Sequence, residues 1–256
     1  MVKNSMKNLI REEFFKTKKS KTLYICLTVA VCILIFLALL YQNNFPDYHW
    51  IDFESEIPWS LNFATFVMIF ALVYVCNEFA QGTIKNYIAI GFSRTKIYLS
   101  KLIKIAIITF GMVFLLQLIA LIFAPFFMGT SVDFKANLIY YLYGLLAIME
   151  VVCFYVALAF ITKRLGAVLG IYFGLSIFYS LLSTLSLLLS DSAILNVFSN
   201  IFKYTYFESQ INLAVDLANG VVTSPIEVVL AILVPIIVIG VSTFGGILMF
   251  NKQDVK

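Results

Sequence analysis

The stretch GTIKNYIAIGFSRTKIYLSK, residues 82–101, carries Lys85, Arg94, Lys96 and Lys101 and no acid, in a chain that is otherwise mostly apolar. It joins two apolar runs, each long enough to cross a bilayer, where a tight polar turn would have been sufficient. Gly82–Thr83 can open a short helix with Thr83 as its cap, and Ile84, Tyr87, Ile88 and Ile90 supply an apolar face. Gly91 suits the left-handed position that ends helices, and Ser93 can cap a new helix that runs through Lys101 into the next apolar run. The pattern is helix, glycine stop, serine start, helix. It predicts a compact element standing about a turn beyond the membrane surface. Two readings fit it equally on physical grounds: a handle held by something outside the membrane, or a connector whose lysines rest on lipid headgroups.

The surrounding composition fixes the solvent. Of 256 residues, 62% are hydrophobic and 12% charged, against about 45–50% and about 25% for soluble domains, so the chain is built for lipid. Six stretches have the roughly 20 apolar residues that a span requires: about 22–41, 59–76, 102–127, 137–161, 165–189 and 227–250. No small-residue cleavage site follows the first, and it is too long for a signal-peptide core, so it is read as a span. The predicted fold is all-α, one transmembrane domain over residues 1–256. Residues 1–21 are read as an interfacial helix, with Met6, Leu9, Ile10 and Phe14 at helical spacing and lysines opposite.

Six spans sort the basic residues sharply. Residues 1–21 carry seven Lys/Arg, 77–104 five, the Lys163–Arg164 turn two and the tail two, leaving only Lys135 and Lys203 on the other side. The positive-inside rule then places both termini in the cytoplasm of a multi-pass plasma-membrane protein. Asp47, Asp52, Glu54 and Glu56 collect on the outer side, near an aromatic belt of Tyr48, Trp50 and Trp59. In the 190–226 connection, Ile194, Val197, Phe198, Ile201 and Phe202 form one helical stripe and Ile211, Ala214 and Leu217 a second, ended by Asn219–Gly220. Two short outer helices dipping into the interface are expected there.

With these features in place, NEFAQGTIKNYIAIGFSRTKIYLSK resembles the segment after the second span of ABC-2-type permeases, the membrane subunits of one class of ATP-driven transporters. The matching residues are Glu78, Gly82, Thr83, Ile84, Lys85, Asn86, Tyr87, Gly91, Ser93, Arg94 and Lys101. In that family this segment is a coupling helix that docks on the ATPase subunit, and the resemblance implies the same role here. The interfacial helix, the six spans, the outer helices between spans five and six and the ending FNKQDVK are similar to the family as well. The family often has proline shortly before the Ser-Arg pair, where this chain has Gly91–Phe92. The short outer loops resemble the Gram-positive peptide export and immunity branch, such as the phenol-soluble-modulin exporter permease.

No phosphate-binding Gly-x4-Gly-Lys-Ser/Thr loop occurs in the chain, so ATP and Mg are expected on a partner ATPase subunit and no cofactor on this one. A second permease, identical or related, is the other expected partner. There is no HExxH or GxSxG set, His49 stands alone, and Cys26, Cys32, Cys76 and Cys153 all sit in apolar runs as small hydrophobes. No catalytic or metal residue is assigned.

Within the spans, Glu150 is the costly residue. Mid-membrane it must be protonated, paired or facing a polar cavity, with Gln117 as one candidate partner. It either lines a substrate path or dimer seam, or bonds a neighbouring helix. Gly166, Gly170 and Gly174 form a small-residue stripe suited to close packing within the chain or to a homodimer contact. Tyr140, Tyr141, Tyr143 and Tyr155 read as belt and packing residues. The leading function is the permease of an ATP-driven exporter of amphipathic or toxic peptides, with lipids or hydrophobic drugs as alternative cargo. The competing class is a partnerless membrane protein, a passive channel or a non-enzymatic immunity factor. Against a channel stands the lack of any repeated polar stripe. An intramembrane protease lacks its ligands or dyad.

Overall fold

The computed structural model describes residues 6–18, 59–128, 134–188, 207–218 and 224–253, with scattered positions between 24 and 39 and between 197 and 205, and residues 220–221. Among these residues every regular element is helical. In chain order they are α1 (Met6–Lys18), α2 (Trp59–Ala80), α3 (Thr83–Ala89), α4 (Arg94–Met128), α5 (Phe134–Thr162), α6 (Leu165–Leu188), α7 (Phe207–Ala218) and α8 (Pro225–Lys252). Four helical segments among them are long and apolar enough to cross a membrane: Arg94–Ile119, Leu138–Thr162, Leu165–Leu182 and Pro225–Lys252. Helix α2 is an apolar helix of 22 residues. The first expected span, 22–41, is represented only by scattered helical positions, and the rest of it lies outside the described residues. So do Tyr48, Trp50, His49, Cys26 and the acids at 47, 52, 54 and 56.

Helix α5 is the axis of the molecule. It packs against α8, α7, α2, α4 and α6, and Ala147, Val152, Cys153, Val156, Ala159 and Phe160 are wholly buried along it. Alanines at these positions let neighbouring helices come close, which is how apolar helices gain packing energy when lipid is as greasy as leucine. Toward the C-terminal end of α5, Phe160 lies 5.3 Å from Phe79 of α2, 4.8 Å from Tyr98 of α4 and 4.9 Å from Phe250 of α8. Four helices thus meet on one ring cluster. At the same end, α8 approaches so closely that a Cβ on Gly246 would stand 2.5 Å from the Tyr98 hydroxyl.

The element ends follow from local chemistry. Pro225 opens α8 at its first turn, where its missing N–H costs nothing, with Glu227 beside it against the positive helix end. Gly220 (φ 69°) closes α7: its N–H reaches the Leu217 carbonyl, and Val221 N–H reaches Asp216. The second outer stripe is therefore a real helix, with Leu213 and Ala214 buried against α5. The first outer stripe differs: Val197, Phe198 and Ile201 are all exposed, while Ile194 and Phe202 lie outside the described residues.

Candidate functional site

The island folds as helix, stop, start, helix, with one change in how it begins. Gly82 itself, in the left-handed conformation (φ 71°), both ends α2 and serves as N-cap of α3, and no side chain caps the helix. Thr83 is therefore the first residue of α3 rather than its cap. The glycine does what a threonine cannot: its positive φ turns the chain without steric cost. At the other end Gly91 (φ 96°) completes a paired stop, its N–H bonding the Ile88 carbonyl at 2.9 Å and Phe92 N–H bonding Tyr87 at 3.1 Å. The Tyr87 and Phe92 rings meet edge-to-face at 6.2 Å, the apolar contact that accompanies this motif. Gly91–Phe92 thus makes the bend between α3 and α4. Helix α4 then starts directly, with Ile97 N–H on the Ser93 carbonyl.

One face of α3 is sealed. Ile84 and Tyr87 are buried, and beneath them lies a knot of charge that joins four helices. Glu13 of α1, fully buried, receives Lys101 on one carboxylate oxygen and Lys104 on the other at 2.8 Å. Lys101 also pairs with Glu78 at the end of α2. Two carboxylates and two ammonium groups, all largely removed from water, balance to zero charge. Lys104 further stands over the Tyr74 ring at 5.3 Å. The Tyr87 hydroxyl completes the knot, donating to Glu12 at 2.9 Å, receiving Lys16 at 2.6 Å and lying 3.4 Å from Glu13.

Buried charges survive only when paired and hydrogen-bonded, and these are. Burial raises the Glu13 pKa, but Lys101 and Lys104 outweigh it and hold the carboxyl below its ordinary value. Burial, aided by Glu12 and Glu13, pushes the Tyr87 phenol well above its ordinary value, so it stays neutral and donates. Burial alone would depress Lys16; Glu12 and Tyr87 reverse that and raise it. Helix α1 is therefore pinned to the base of α4 by charge as well as by Leu9, and Glu13 takes a place on the inward face that the apolar spacing assigned to lipid.

The expected coupling residues fall into two groups. Glu78, Ile84, Tyr87 and Lys101 are internal. Lys85, Asn86, Gly91 and Ser93 are exposed, along with Ala89 and Lys96, and Gly82 and Thr83 are half-buried at the rim. Arg94 goes elsewhere: its guanidinium donates to the carbonyls of Phe250 and Asn251 at 3.0 Å each and to that of Gln253, at the end of α8. Glu13 and Lys104 were not singled out from sequence. The only signal for them was a carboxylate four residues after Leu9 on an apolar face, and lysines three apart entering an apolar helix.

The second candidate group lies deeper. Glu150 is buried and accepts a hydrogen bond from Gln210 Nε2 of α7 at 2.6 Å, while the same nitrogen donates to the Tyr204 carbonyl at 2.6 Å. The expected candidate partner, Gln117, is buried on α4. Glu150 stands twelve residues, about 18 Å, from the end of α5. Helix α7 therefore meets α5 well inside its length. Among the described residues nothing stands within 4 Å of a Cβ built on Gly166, Gly170 or Gly174. Buried Cys76 and Cys153 act as small hydrophobes, and among the described residues no cluster of potential metal ligands occurs.

A protein-family model described as ABC-2 family transporter protein matches residues 9–183, more than half of the chain. The match begins in α1 and runs through the island, α4, α5 and most of α6. No curated protein matches the chain.

Proposed function

The chain belongs to the ABC-2 transporter family and is the multi-pass membrane subunit of an ABC transporter; from that premise we propose that α3 is the element gripped by its ATPase partner. The observation that carries this is the two-sidedness of α3. Its inner face is bolted through Tyr87 to Glu12, Glu13 and Lys16, while its outer face presents Lys85, Asn86 and Ala89 to solvent. A connector resting on headgroups needs no such anchorage, because lysines on lipid require no fixed geometry. A handle does: force applied to Lys85 must reach the spans without being absorbed by a soft joint.

In this reading six spans, including 22–41, cross the plasma membrane with both termini in the cytoplasm. Two permeases, identical or related, pair around a path. ATP and Mg are held by the partner subunits, whose closure pushes on α3 and opens the path outward. The resemblance to the Gram-positive peptide branch supports amphipathic or toxic peptides as cargo, and lipids or hydrophobic drugs are the alternative. Stimulation of ATP hydrolysis by added amphipathic peptide, compared with added lipid or drug, separates them.

The test of the docking face is Lys85→Glu. The charge is exposed, so the variant should insert and fold normally yet fail to co-purify with the ABC ATPase co-expressed with it. Unchanged co-purification and unchanged ATPase stimulation would overturn the assignment.

A further inference from the structure

Arg94 is in the wrong place for its own helix. It opens α4, where the helix dipole presents positive charge, and the first turn of α4 holds no acid to offset it. Its guanidinium instead serves the far end of the chain. It donates to the carbonyls of Phe250, Asn251 and Gln253, 156 to 159 residues away. All three bonds come from the one nitrogen Nη1, and they meet acceptors at the C-terminal end of α8, where the dipole is negative and a cation is favoured. The guanidinium carbon also stands 5.9 Å from the Phe250 ring centroid. Around this bond the two helices are interlocked. Asn251 faces Thr95 at 3.5 Å and the Gly246 backbone accommodates Tyr98, while Gln253 also ties the same end to α5 through the Ile161 carbonyl at 3.2 Å.

From this we infer that Arg94 is a positioning residue that clasps the end of α8 to the island, so that displacement of α3 is delivered to α8 directly. The inference rests on the docking role proposed for α3 but gives Arg94 a different part, as the output of the coupling element and not as a piece of the surface the ATPase grips. Helix α8 is suited to be the moving element. It lies along α5 on one side, while Ile232, Leu233, Ile236, Ile237, Val241 and Phe244 are exposed on the other. Among the described residues no helix covers that outer side.

Arg94→Lys is the discriminating variant, because its ammonium keeps the charge but ends one bond short of Nη1, the single nitrogen that meets all three carbonyls. Spin labels on Lys96→Cys and Leu248→Cys, both solvent- or lipid-facing, report the clasp in nanodiscs after the four native cysteines are replaced by alanine. With Arg94 present, the distance between labels should be narrow and unchanged between the nucleotide-free and vanadate-trapped complexes. With Arg94→Lys, the ATPase should remain bound, the distance should broaden and shift on trapping, and permease-stimulated ATP hydrolysis should fall about fivefold or more. A distance as fixed as in the parent, or loss of the ATPase from the variant, would overturn the inference. So would a nucleotide-driven change in the parent itself. If the parent chain binds no ATPase, the docking reading fails separately. Broadening in Arg94→Lys without nucleotide then still decides whether the clasp exists.

Discussion

Removing the Glu13 carboxylate should release α1. In Glu13→Gln the buried knot loses one of its two acids. Lys101 keeps Glu78, but Lys104, with only 6% of its side chain exposed, loses the negative charge it meets at 2.8 Å and is left with a neutral amide and the Tyr74 ring. Breaking a buried pair from one side costs about 3–5 kcal/mol. The surviving Glu78 contact and the cation–π contact argue for the lower end, about 3 kcal/mol. That is roughly a 150-fold shift toward the undocked helix. A helix of 13 residues is marginal on its own, so the undocked form should fray. Amide hydrogen exchange across Met6–Lys18 in nanodiscs is the assay: protection should fall by about two orders of magnitude, while amides of α5 keep theirs. Replacing the knot together, as Glu13→Leu with Lys101→Met and Lys104→Leu, should restore much of the protection, since no ammonium is then left buried without a partner. Equal protection in Glu13→Gln and the parent would refute the claim that these ion pairs hold α1. The pH dependence has a definite sign. The folded pKa of Glu13 is depressed, so the stabilisation is complete above the unfolded carboxylate value of about 4.3 and disappears as pH falls through the lower folded value. Protection should therefore be flat from neutral pH down to mild acid and drop only below that.

Two further outcomes are expected. Glu150→Gln should leave the melting temperature in detergent nearly unchanged, because an amide oxygen accepts from Gln210 as a carboxylate does. Glu150→Leu should cost about 1–3 kcal/mol by stripping a buried donor of one acceptor, and equal melting of the two variants would contradict the assigned bond. Gly91→Ala should destabilise α3 by about 1–2 kcal/mol, since φ 96° is strained for any residue with a Cβ; exchange protection of the Thr83–Ala89 amides reads it directly.

What the sequence determined here is what depends on neighbours along the chain. Hydropathy over twenty residues marked stretches that form α2, α4, α5, α6 and α8, although α4 begins several residues before its apolar run, in the island itself. Gly91 announced its left-handed turn, because the backbone at that position alone sets the requirement, whereas Gly82 was expected only to open a helix capped by Thr83 and proved to be the left-handed cap itself. Four contacts that give the site its character depended on the fold. Glu13 meets Lys101 and Lys104 across 88 and 91 residues, Gln210 meets Glu150 across 60, and Arg94 meets the α8 carbonyls across 156 or more. A charge on a helix face carries no local mark of whether water, lipid headgroup or a buried counter-charge will meet it. The apolar spacing of α1 was legible, but whether Glu13 lay at its lipid edge or its protein centre depended on where α4 placed two lysines. The same holds for Arg94, whose place in the sequence carried no mark of the α8 carbonyls that meet it. Pairing energies between distant charges exist only once packing has excluded water and brought the partners within about 3 Å, and only the tertiary structure does that.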